Sequence, residues 1–170
     1  MQIGNEPWDY PAAFYNTLLN GFSQGCKAGD SALQVLPCAL QADTTEAASS
    51  TSGNYIGARV LQADAQYLDA LNIHAYSFYT RTEDGRNGAT YPEDPRSYMH
   101  SVRNLIRWRD ANAPTLPVRI TEWGWDSDGP VTTCTGDQYW YSCVTEEAQA
   151  IYAVRGALLL AREGLESAVW

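Results

Sequence analysis

Two glutamates, Glu6 and Glu122, each close a short apolar run beside tryptophan, just where a loop begins. The strings are Gly4-Asn5-Glu6-Pro7-Trp8 and Ile120-Thr121-Glu122-Trp123-Gly124-Trp125. Paired carboxyls framed by indoles supply what glycosidic bond cleavage needs: a proton donor, a nucleophile and flat faces for sugar rings. For each glutamate the plainer alternative is a solvated carboxylate at a strand end. Trp8, Trp123 and Trp125 could stack on sugar, and each could equally be loop packing. Between the two strings lies His74-Ala75-Tyr76. His74 is either a substrate ligand or a satisfied structural histidine, and Tyr76 is otherwise an ordinary core tyrosine. His100 falls among Arg96, Arg103 and Arg107 on a helix, which reads as a solvated face. Asp126-Ser127-Asp128-Gly129 lacks the downstream glutamate of a calcium loop and reads as a turn.

The bulk composition narrows the partners. The 170 residues are 45% hydrophobic, enough for one domain with a real core. A net charge of −9, from 20 acidic and 11 basic residues, opposes binding to nucleic acid or to an anionic membrane surface. A neutral oligo- or polysaccharide is indifferent to that charge. No apolar run approaches the roughly 18 residues of a membrane helix, and no signal-peptide pattern is visible where Met1 leads into Gln2-Ile3-Gly4-Asn5. Four cysteines without C-x-x-C spacing, and only two histidines, argue against a zinc site. No metal or cofactor is expected. Cys134 and Cys143 bracket one polar, aromatic loop and could close it as a disulfide, which would suit an extracellular or periplasmic parent protein.

Short apolar runs alternate with longer amphipathic ones. Strands are expected at 1–6, 32–40, 70–76, 117–122 and 167–170. Helices are expected at 11–27, at about 55–67, from Asp94-Pro95 onward, and from Thr145 to Gly164. The inward stripes are expected to be Phe14, Leu18 and Phe22; Tyr98, Val102, Leu105 and Ile106; and Ile151, Val154, Leu158 and Ala161. This β-α-β-α-β-α-β-α-β order implies a parallel sheet wrapped by helices, with long loops at the C-terminal ends of strands, where α/β folds place their chemistry. Period-2 alternation points Arg119 away from Glu122, toward the helix layer, where it must snorkel or find an acid.

The two glutamate strings, in this order and with His74-x-Tyr76 between them, resemble the clan of retaining glycoside hydrolases that includes cellulases, β-mannanases and β-glucosidases. The resemblance implies part of a TIM (β/α)8 barrel, strands four to eight, with five strands and four helices in one catalytic domain over 1–170. A first strand that already carries a catalytic-looking glutamate, and a last one that stops at Trp170, suit that expectation. It further implies Glu6 as acid/base, Asn5 as a ligand of the sugar 2-hydroxyl and Glu122 as nucleophile. Tyr76 would donate a hydrogen bond to Glu122, and Trp170 would floor the subsite of the reacting sugar. The expected reaction is double displacement on a β-linked glycan. The competing expectation is an inactive barrel fragment that keeps carbohydrate-binding aromatics and could self-associate through its open edges. A metal-dependent hydrolase would need ligand clusters that the sequence spacing does not offer.

Overall fold

A computed structural model describes residues 1–6, 10–40, 42, 56–80, 87–127 and 143–170. Helix α1 spans Ala12–Gly29, and helix α2 spans Ile56–Arg59. Strand β1 is Leu71–Tyr76, and a short hairpin follows from β2 (Phe78–Thr80) and β3 (Asn87–Ala89). Then come α3 (Met99–Asn112), β4 (Val118–Gly124), β5 (Asp126–Ser127), β6 (Cys143–Val144), α4 (Glu146–Arg162) and β7 (Ser167–Ala168). None of these helices is long and apolar enough to cross a membrane.

The molecule is α/β with parallel strands, consistent with part of a (β/α)8 barrel. The main sheet runs β1-β4-β7, all parallel. Backbone hydrogen bonds extend the order to the N-terminus. Residues 69–72 bond to Val35 and Leu40, and Leu36 bonds to Met1 and Ile3. The first two expected strands are therefore present as bridged segments, with a single ladder bridge at Gln2–Leu36, rather than as regular strands. Too few of their backbone groups pair in register to make a longer ladder.

Leu71, Ile73, Val118 and Ile120 point into the layer between sheet and helices, where they meet Val102, Leu105 and Trp108 of α3. Alternation puts Asn72, His74 and Tyr76 on the opposite face. One irregularity decides the site. Ile73 pairs with Ile120, but His74 pairs with Glu122, so Thr121 is an extra residue in a β-bulge. Such a bulge re-aims the side chains that follow it. Arg119, Thr121 and Glu122 all lie on the inner side as a result, which corrects the expectation that Arg119 faces the helix layer. Arg119 does find an acid, Glu166, and it also donates to Gln34 Oε1 at 3.0 Å. Arg119, Gln34 and Glu166 line a cavity of about 490 Å³ with Met1, Gln2 and Thr121.

The helices correct several further expectations. On α1 the buried stripe is Tyr15, Leu19 and Ser23, one position on from Phe14 and Leu18, and Phe14 is exposed. On α4 the buried residues are Gly156 and Leu160, whereas Ile151, Val154 and Leu158 face outward. The cause on α4 is visible at Gly156: a Cβ there would stand 2.6 Å from Trp123 Cζ3, so only a bare backbone lets this face approach the indole. The last helix starts after Thr145 as expected, with the Thr145 hydroxyl capping it by accepting from the Ala148 N–H at 3.1 Å. Asp94, in contrast, does not cap α3. It closes the preceding turn, accepting from the Arg96 backbone N–H at 2.8 Å and from its guanidinium. The helix expected over 55–67 breaks after Arg59 and resumes as a 3₁₀ turn at Ala65–Tyr67. The side chain of buried Asp64 accepts from Asn16 and Asn20 on α1 and holds that break. Asp126-Ser127, expected in a turn, forms β5 paired with β6.

Candidate active site

The C-terminal ends of the first bridged segment, β1 and β4 bring Glu6, His74, Tyr76 and Glu122 together. His74 Nδ1 lies 2.9 Å from Glu6 Oε1 and 3.4 Å from Glu122 Oε2. The Tyr76 hydroxyl donates to Glu122 Oε2 at 2.9 Å. One oxygen of each carboxylate and Nδ1 all lie within 4.8 Å of one another. His74 is buried, whereas both glutamates are partly open to solvent. Burial first, then the bond to Glu122 and its charge, pushes the Tyr76 hydroxyl well above the ordinary tyrosine range. It therefore stays protonated and serves as a donor.

Behind the ring, His74 Nε2 lies 3.2 Å from Thr121 Oγ1, and that hydroxyl donates to Asn72 Oδ1 at 2.9 Å. Neither Thr121 nor Asn72 was singled out by sequence. No local pattern announces the bulge that brings Thr121 against the histidine. Arg59, also not anticipated, is buried and donates to the Tyr10 carbonyl at 3.2 Å.

Tryptophans surround this group unequally. Trp170 is 54% exposed and meets Trp123 edge-on at a centroid distance of 4.9 Å. Trp123 and Trp125 are buried, packed against each other, Trp170 and α4. The Trp125 indole N–H donates to the Thr90 carbonyl at 2.8 Å. That burial matches the plainer alternative for these two indoles, packing rather than an open stacking surface. Trp170 instead rests on them. Asn5 is exposed and accepts the Ala39 N–H through its backbone carbonyl at 2.9 Å. Trp8 lies outside the described residues. Cys143 is disulfide-bonded while Cys26 and Cys38 are free, and Cys134 lies outside the described residues.

Glu6, His74 and Glu122 form a trio of ligand type that the sequence spacing did not reveal. Ligand atoms around a tetrahedral zinc, with bonds of about 2.1 Å, stand about 3.4 Å apart. The 2.9 Å contact from His74 to Glu6 is a hydrogen-bond length instead, and Glu122 Oε2 already accepts a hydroxyl. The arrangement suits shared protons better than a shared ion.

A solved structure with a similar fold is a family 51 α-L-arabinofuranosidase from Bifidobacterium longum, with a TM-score of 0.59 and 20% identity. The match covers 98% of this chain and 36% of that one. The likeness is one of fold, to part of that structure. Neither a protein-family model nor a curated protein matches the sequence. The chain thus spans about a third of the length of the hydrolase structure it resembles.

Proposed function

We propose that residues 1–170 carry the reaction centre of a retaining glycoside hydrolase in one catalytic domain, acting on a β-linked glycan. The observation that carries this reading is the approach of Glu6 and Glu122 oxygens to within 4.8 Å. Carboxyls about 5–5.5 Å apart serve double displacement, whereas inversion needs about 6.5–9.5 Å to admit a water. Glu6 protonates the leaving oxygen as Glu122 attacks the anomeric carbon. A water deprotonated by Glu6 then releases the sugar from the glycosyl-enzyme. Tyr76 orients Glu122 by donating its hydroxyl to Oε2 at 2.9 Å. Trp170 floors the reacting sugar, Trp123 and Trp125 hold it in place, and Asn5 takes the 2-hydroxyl.

The test is hydrolysis of a panel of aryl β-glycosides, with an aryl α-L-arabinofuranoside added because of the structural likeness. Proton NMR reads the anomer first released. Retention of configuration supports the reading, and an inverted first product would overturn it. A second reading, an inert barrel fragment that keeps sugar-binding aromatics, is favoured by the open indole of Trp170. Saturable oligosaccharide binding without turnover would select it.

A further inference from the structure

The strongest unexplained feature is the hydrogen-bond chain behind His74. Thr121 has a single hydroxyl hydrogen, and it is donated to Asn72 Oδ1 at 2.9 Å. A carbonyl oxygen only accepts, so the hydrogen in that contact belongs to Thr121. The Thr121 oxygen can then only accept from the ring at 3.2 Å, which requires a hydrogen on His74 Nε2. A neutral ring so fixed presents a bare Nδ1 lone pair to Glu6 Oε1 at 2.9 Å and Glu122 Oε2 at 3.4 Å. Three electron-rich atoms that close repel one another unless a proton sits among them.

We propose that Asn72 and Thr121 are positioning residues that hold the hydrogen of His74 on Nε2, so that the Nδ1–Glu6 contact stores the proton used for acid catalysis. The proton resides either on Glu6, donated to Nδ1, or on Nδ1, donated to Glu6. Both arrangements hold one proton more than a ring turned to the other tautomer. That other tautomer, with hydrogen on Nδ1 alone, would donate to an ionised Glu6 and leave nothing to deliver. It would also require Thr121 to turn its hydrogen to Nε2, stripping the donor from the Asn72 carbonyl in a fully buried side chain. Asn72 Nδ2 has no partner among the described residues. With the amide turned over, Nδ2 would donate to Thr121 and the whole chain would reverse, which is the alternative the experiment decides.

The catalytic consequence rests on the glycosidase reading, but the tautomer does not, so the two are tested separately. The chain has only two histidines, which makes a ¹⁵N-histidine spectrum of all 170 residues readable, with His100→Gln assigning the second ring. Near neutral pH, Nε2 of His74 is expected to carry hydrogen in the unmutated chain. Thr121→Val is expected to move hydrogen to Nδ1, and Thr121→Ser to restore it. A bare Nε2 in the unmutated chain would overturn the proposal without any variant. An unchanged spectrum in folded Thr121→Val would overturn it too. In turnover, Thr121→Val should lower kcat about tenfold more on glycosides with poor leaving groups than on dinitrophenyl glycosides, with KM unchanged and Thr121→Ser rescuing. Absence of hydrolysis in every form would sink the glycosidase reading while leaving the tautomer result intact.

Discussion

At the scale of single residues, the proposed roles separate by what each variant spares. Glu6→Gln removes the proton donor, and general acid catalysis is worth about 10²–10⁴-fold. A loss of that size is expected on unactivated glycosides and a much smaller one on dinitrophenyl glycosides, read as kcat ratios. Tyr76→Phe deletes one hydrogen bond to a carboxylate, worth about 1.5–3 kcal/mol. It should lower kcat roughly 10–100-fold at nearly constant KM. Glu6, Glu122 and Tyr76 were legible as candidates because each sits at the end of an apolar run. Thr121 and Asn72 were not. Thr121 becomes a partner of His74, and Asn72 in turn a partner of Thr121, through the extra residue between Ile120 and Glu122 in the β1–β4 register. The same bulge explains why simple alternation misplaced Arg119.

At the scale of elements, β1, β4 and the long helices α1, α3 and α4 were legible from period, but the irregular segments between them and the buried faces were less so. Hydrophobicity alone chose Ile151, Val154 and Leu158 on α4, whereas the inward face is set by where the backbone can approach Trp123. Gly156→Ala tests that account. Its Cβ would fall 2.6 Å from the indole, an overpacking that costs about 1–3 kcal/mol. The melting temperature should fall by about 2–4 °C for each kcal/mol, with a change in tryptophan fluorescence. The Asp94 turn gives a pH prediction. The Arg96 guanidinium first, and its backbone N–H next, pull the Asp94 carboxyl down to about 2 from 3.8. A depressed folded value means that the turn's contribution is present above 3.8 and is lost as pH falls toward 2. Asp94→Asn should flatten that acid limb in a thermal-melt series, and an unchanged limb would contradict the assignment.

At the scale of the whole molecule, the order of parallel segments followed from the alternation of runs. The regular sheet is shorter than the pattern suggested, because the first two segments pair through few backbone bonds. The exposed α4 stripe, with Phe14 on α1, leaves apolar surface on two helices. Concentration-dependent self-association is expected in sedimentation experiments, and Leu158→Glu should weaken it. A monomer at every concentration would contradict this. Hydrogen-bonded carboxylates, rather than an ion, also predict that chelators leave turnover unchanged.

The proposed pairing of Glu6 with Glu122 is open to covalent trapping. Incubation with an activated 2-deoxy-2-fluoro glycoside should leave one sugar mass on the chain, and peptide mapping should place it on Glu122. A stable adduct on any other residue, or none from a substrate the chain demonstrably hydrolyses, would contradict the account.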